Sequence, residues 1–250
     1  MRKKSFALFV GLSLLFINRI ASAQTTAGTD FWLGFVENNN VNTDSLWIYV
    51  SSDRNTTGTV SVPQVAFSQS FSVAANSFTT IYIPNNLGMN LGSEVIQNKG
   101  IHIISNDSIL VTCFNRQQDN ADASGIFTSN SLDTEYVIMS YSAIPAPISL
   151  DSRSEFLIVA TDSNTIVQIT VTDTTLGGVL MGASLNVNLQ EGQTYQVQSL
   201  RDLTGTRITS NKPVAVFSGN TYTFVPINYN LMTFSGAADH LYEQMLPVNQ

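Results

Sequence analysis

Val167-Gln168-Ile169-Thr170-Val171-Thr172 sets three β-branched apolar side chains against three polar ones at a period of two. A half-buried strand requires this pattern, because successive side chains leave an extended backbone on opposite faces. The alternation returns in Thr59-Val60-Ser61-Val62, in Leu185, Val187 and Leu189 against Asn186, Asn188 and Gln190, and in Val197 between Gln196 and Gln198. Leu46–Val50 and Phe156–Ala160 are apolar on both faces and read as central strands covered from both sides. Turn-forming residues separate these runs at Asp53–Gly58, Asn85–Gly88, Asp162–Asn164, Gly177-Gly178 and Asn211–Pro213. No segment carries an apolar period of 3.6. Short strands at a spacing of roughly 8–12 residues predict an all-β protein of the β-sandwich class.

Residues 1–23 read as an export signal. Arg2, Lys3 and Lys4 precede an apolar run, Phe6–Ile17, and Ala21-Ser22-Ala23 supplies the small residues of a cleavage site. The run is too short to span a bilayer, which needs about 20 apolar residues, and no later segment is long and apolar enough. A secreted or cell-surface location follows. Of 11 Lys and Arg, four (Arg2, Lys3, Lys4 and Arg19) leave with the signal, against 18 Asp and Glu. So acidic a chain excludes nucleic acid, whose phosphates demand clustered cations. One cysteine, Cys113, allows no internal disulfide, so stability rests on an ordinary core.

The two halves of the chain are related. An offset of 105 pairs Gly100 with Gly205, Ile103 with Ile208, Ser105 with Ser210, Asn106 with Asn211, Val111 with Val216 and Asn115 with Asn220. The same offset matches Thr29, Asp30 and Phe31 to Thr134, Glu135 and Tyr136; an offset of 109 matches Val50, Asp53, Asn55 and Thr56 to Val159, Asp162, Asn164 and Thr165. Tandem copies of one unit give such collinear offsets. Two β-sandwich-like modules arising by internal duplication are expected at 24–118 and 133–238. The polar, small-residue segment 119–132 reads as a linker loop between them. One further period would begin a third, truncated unit at 239–250.

Residues that could carry chemistry are sparse. The G-x-S-x-G, H-E-x-x-H, P-loop and G-x-G-x-x-G patterns do not occur, which reads as a protein that is not an enzyme and calls for no cofactor. His102 faces opposite to Ile101 and Ile103, and His240 lies near the end of the sequence. Asp53 with Asn55, and Asp162 with Asn164, are the candidates for calcium, an ion that takes carboxylate and amide oxygens. The competing role is hairpin closure, in which the same side chains bond their own backbone. Cys113 shares the facing of Ile109 and Val111 and reads as a small buried hydrophobe. Trp32 and Trp47 could form a sugar-binding platform; their apolar strands favour the core instead.

Five stretches carry a resemblance: GTDFWLGF (Gly28–Phe35), DTEYVIMSY (Asp133–Tyr141), FLIVATDSNT (Phe156–Thr165), LTGTRITSNKPVAVFSG (Leu203–Gly219) and DHLYEQ (Asp239–Gln244). Together they resemble the IgG-Fc-binding protein N-terminal domain family, in its bacterial secreted members. The resemblance implies a secreted, β-rich binding or adhesion module with an extracellular protein or glycan as partner. It brings no ligand-binding residues with it. An architectural spacer within a longer surface protein is the alternative, followed by a hydrolase of extracellular polymers.

Overall fold

The computed structural model describes residues 25–39, 45–116, 120–145, 149, 151–226 and 238–248; the expected export signal at 1–23 lies outside them. The first half forms β1 (Ala27–Leu33), β2 (Ser45–Ser52), β3 (Thr56–Val62), β4 (Phe67–Val73), β5 (Ser77–Ile83), one helical turn (Asn85–Gly88), β6 (Ile96–Gln97), β7 (Ile101–Arg116) and β8 (Ala121–Ile126). The second half forms β9 (Asp133–Val137), β10 (Ser154–Ala160), β11 (Thr165–Thr170), β12 (Ser184–Leu189), β13 (Thr194–Ser199), β14 (Arg207–Thr223) and β15 (Asp239–Gln244). The protein is all-β, in two β-sandwich-like modules whose sheets are nearly closed.

Each module is organised by one long strand. In the first sheet the order is β4-β3-β7-β2-β5, with β1 and β8 also paired to β7. In the second it is β12-β11-β14-β10-β13-β6, with β9 and β15 also paired to β14. The two lists correspond strand for strand except for β6, which extends the second sheet alone. The long strands also share a local break: register is lost after Ile104 on β7 and after Thr209 on β14. There the Ser105 hydroxyl donates to Asp107 O at 2.7 Å, and the Ser210 hydroxyl donates to Lys212 O at 2.6 Å. A bulge of this kind bends a strand and raises its twist, so one strand can serve both layers of a sandwich. Asn115 Nδ2 donates to Val36 O at 3.0 Å, and Asn220 Nδ2 to Tyr141 O at 2.9 Å, so the loops after β1 and β9 are tied down identically.

Register corrects part of the sequence alignment. Val50 pairs with Val111, whereas Ile158, not Val159, pairs with the matching Val216. The offset is therefore 108 along β2 and β10, and it becomes 109 after the following turn, because Gly58 and Val167 face Ser105 and Ser210. A slip of one residue exchanges the two faces of a strand.

The linker reading is also corrected. Residues 121–126 form β8, paired with Val111–Arg116 of β7. Residues 239–244 form β15, paired with β14 in the position that β8 holds on β7, so they close the second module and do not open a third. The two strands meet side by side through side chains. Tyr242 N donates to Asp122 Oδ2 at 2.8 Å, Ala121 N to Asp239 Oδ1 at 2.8 Å, and Gln244 N to the Ser124 hydroxyl at 2.9 Å. Polar and small residues are needed at this seam because their side chains replace backbone carbonyls as acceptors. That requirement disguised β8 as a loop.

Two apolar cores result. Val60, Val62, Ile81, Ile83, Ile101, Ile103 and Val111 fill the first module, and Leu157, Val159, Ala215, Phe217 and Tyr242 join the same cluster from the outside of the second sheet. Phe156, Ile158, Val167, Ile169, Val197, Ile208 and Val216 fill the second. Phe156–Ala160 is thus buried on both faces, as its sequence indicates. Leu46–Val50 is not: Leu46, Ile48 and Val50 point inward, while Trp47 and Tyr49 lie half-buried on the outside. Among the described residues no helix is long and apolar enough to cross a membrane.

Candidate functional site

The outer face of the first sheet is built by three neighbouring strands whose outward residues, apart from Leu110, are aromatic or hydroxylic. Register aligns Tyr82, Trp47 and Phe114 in one row, Thr80, Tyr49 and Thr112 in the next, and Phe78, Ser51 and Leu110 in the third. Tyr82 packs edge-on to Trp47 with centroids 5.5 Å apart; Tyr49 lies 6.2 Å from Phe78 and 6.5 Å from Phe114. These geometries suit the quadrupoles of the rings and hold them in place without a cover. Phe78 is 64% exposed and Tyr82 44%. On the far side β8 offers only the small residues Ala121, Ala123 and Gly125, which leaves the ring of Phe114 accessible. Arg116, at one end, is the single ionic side chain that these strand positions present.

At the other end the face opens into a groove of about 760 Å³. Phe78, Ile109 and Leu110 supply its apolar wall; Asp53, Arg54 and Asn76 supply polar groups from adjoining turns. An apolar floor with a few convergent polar groups is the usual make-up of a recognition site.

The topologically equivalent face of the second module is closed. Glu155, Leu157 and Val159 of β10, Thr194, Gln196 and Gln198 of β13, and Ala215 and Phe217 of β14 are all buried. The first module covers them with the segments following β1 and preceding β7. Gly34 belongs to this cover: a Cβ there would lie 2.7 Å from Leu157 Cδ2 and 3.0 Å from Val159 Cγ2, so only glycine admits so close an approach. Strand β6 pairs with β13 and carries the second sheet into the first half of the chain.

Most polar groups at this junction are paired, although Glu155 Oε1 and Gln198 Oε1 are buried with no hydrogen-bond partner among the described residues. Glu37 accepts from Arg153 Nη1 at 2.8 Å and from Gly92 N at 2.6 Å. Gln198 Nε2 donates to Glu155 Oε2 at 2.8 Å and to Glu37 Oε2 at 3.2 Å. Gln196 Nε2 donates to Gly92 O at 2.9 Å and Thr194 to Asn90 Oδ1 at 2.5 Å. Burial drives the Glu155 carboxyl well above the ordinary carboxylate range; Gln198 and Arg153 oppose that shift and Glu37 adds to it. Burial thus favours the neutral acid over the carboxylate at this position.

His240, near the end of the sequence, is fully buried in a second polar cluster. Its Nδ1 is 3.0 Å from Asn220 O and its Nε2 is 3.1 Å from Asn115 Nδ2, so Nδ1 carries the proton and Nε2 accepts. Burial pushes its pKa down to about 4. The matched Asn115 and Asn220 were the legible trace of this cluster; its assembly around His240 was not legible.

The calcium candidates lie in separate turns of separate modules. Asn55 Oδ1 accepts from Ala75 N at 2.9 Å, and Asp53 approaches Arg54 at 3.9 Å. Asp162 pairs with Lys212 at 3.0 Å, which holds its carboxyl below the usual range, and Asn164 adopts a left-handed turn. Among the described residues no three His, Cys, Asp or Glu gather as metal ligands. Cys113 is buried beside Tyr242, and burial raises its thiol pKa. Trp32 is buried and stacks on His102 at 4.1 Å, and His102 in turn meets Asp30 at 3.2 Å. Of the two tryptophans, only Trp47 stands on the open face, against the expectation that both belong to the core.

Fold and site together define a two-module β-sandwich protein with one open aromatic face. A sequence profile of the family described as IgGFc binding protein matches residues 122–250. The chain belongs to that family. It is also 30% identical over 162 residues to the human protein named IgGFc-binding protein, a match that covers 64% of this chain and 3% of the relative. The chain thus spans a small fraction of that relative's length. No solved structure matches it.

Proposed function

We propose that the protein is a secreted or cell-surface binding module that holds an extracellular protein or glycan against the outer face of its first sheet. The observation that carries this reading is the asymmetry of the two modules. The eight positions named above are buried in the second module, while in the first Phe78, Tyr82, Trp47 and Tyr49 lie at the surface with no cover among the described residues. Exposed clusters of large aromatics mark interaction sites, since rings bring contact area at little entropic cost. The face is almost free of charge, which favours a neutral or weakly charged partner surface over a polyanion. The name of the human relative supplies a specific candidate, the Fc of immunoglobulin G, as one member of the panel to be tested.

The test is capture on arrays of glycans and extracellular proteins, immunoglobulin G included, with wild-type protein and the double variant Phe78→Glu, Tyr82→Glu. Both side chains are exposed, so the fold is expected to survive, as thermal unfolding will verify. Loss of captured partners in the variant supports the reading. Equal capture by both proteins refutes it. The spacer reading is favoured by the tight polar junction between modules, which is suited to fixing their relative placement; it requires that neither protein capture anything.

A further inference from the structure

The closed face of the second module shows what its open counterpart on the first is shaped to receive. Register sets Tyr49 at the position of Leu157, Trp47 at that of Glu155 and Ser51 at that of Val159. In the junction within the chain, the positions of Leu157 and Val159 are covered by Gly34 and the loop that follows it. The second module carries the counterpart of that covering end. At the offset of 105, supported by the pairing of Trp32 with His102 and of Val137 with Arg207, Gly34 corresponds to Met139. Met139 is 71% exposed, and Leu200, which follows β13, is 49% exposed.

This end is built and held like its counterpart. Asn220 Nδ2 bonds Tyr141 O at 2.9 Å, as Asn115 bonds Val36 O. The Ser142 hydroxyl donates to Asp202 Oδ2 at 2.9 Å, and the Thr204 hydroxyl donates to Ser140 O at 3.1 Å, so the segments bearing Met139 and Leu200 lie against each other. Size complements size: where glycine meets leucine and valine within the chain, a methionine stands ready for a tyrosine and a serine. Thioether and aromatic ring make a favourable pair, and a flexible methionine fits an irregular surface.

We propose that the open aromatic face of one chain docks the Met139–Leu200 end of a second copy, repeating between chains the junction that joins the two modules. The proposal rests on the reading of this face as a binding surface and names its partner. The contact is heterologous, since one patch meets a different patch, and it leaves a free face at one end and a free tip at the other. Association therefore grows head to tail with concentration.

Sedimentation velocity over a concentration series tests this with three proteins: wild type, the face variant Phe78→Glu, Tyr82→Glu, and the tip variant Met139→Glu. Wild type is expected to form species beyond the dimer. Each variant alone is expected to associate at least about tenfold more weakly, as loss of a central interface anchor requires. An equimolar mixture of the two variants restores one good junction, between the intact face of one and the intact tip of the other, and is expected to give a discrete 1:1 complex. All substituted positions are exposed, so unchanged thermal unfolding separates lost docking from lost fold. A wild type that stays monomeric, association that survives either variant, or a mixture that stays monomeric overturns the proposal. If the wild type is monomeric while the face variant loses its captured partner on the arrays, the face is a site for a foreign ligand and self-docking alone fails.

Discussion

Leu157 and Tyr49 occupy equivalent positions on equivalent strands, yet one is sealed beneath the first module and the other faces outward. Truncating each to alanine separates the two environments. Leu157→Ala removes three carbons from a site of zero exposure; at about 0.8 kcal/mol per methylene the transfer loss is about 2.4 kcal/mol. The residual cavity, walled by close-packed neighbours such as Gly34, brings the expected loss to about 3 kcal/mol. Tyr49→Ala removes a larger side chain, but the residue is partly exposed already and solvent fills the space it leaves. Its expected loss is about 1 kcal/mol, mostly from contacts with Phe78 and Phe114. Urea unfolding followed by tyrosine and tryptophan fluorescence measures both, with the midpoint and slope compared to wild type. If Leu157→Ala costs less than about 1 kcal/mol, or no more than Tyr49→Ala, the face of the second module is not buried as described and the asymmetry argument fails.

Three further predictions concern the buried polar groups and one close backbone contact. Burial raises the folded-state pKa of Glu155 above the ordinary 4.5, so its contribution to stability is complete below that pH and declines as pH rises toward the raised folded value. Glu155→Gln is expected to flatten this decline by up to about 1.4 kcal/mol per pH unit, and parallel stability curves for the two proteins would contradict the assignment. His240 acts in the opposite direction: its folded pKa of about 4 lies below the ordinary 6.5, so stability is lost as pH falls through that interval. A nuclear magnetic resonance titration of its ring is expected to show a midpoint near 4, and a midpoint above 6 would contradict the buried geometry. Gly219→Ala would drive a Cβ into Leu241 O, so it is expected to destabilise the protein by more than about 3 kcal/mol through displacement of β15. A calorimetric scan showing no change would mean that β15 does not cross there.

Much of the fold could be read from residue order alone. Alternation at Val167–Thr172 and Thr59–Val62 follows from the geometry of a single extended chain, and the paired turn residues at matching offsets made the two modules visible before any contact was known. The bulge serines, Ser105 and Ser210, and the loop-holding Asn115 and Asn220 stood out for the same reason: local backbone demands recur wherever the unit recurs. What tertiary structure decided is which faces are covered. Leu46–Val50 and Phe156–Ala160 look alike as strings, yet among the described residues only the second has a neighbour on its outer side, and that neighbour comes from residues more than a hundred positions away. Likewise β8 is polar because its partners are the backbone amides of β15, and the neutral forms of Glu155 and His240 are favoured because distant segments exclude water from them. Periodicity is a property of one strand. Burial, register and protonation are properties of what packs against it.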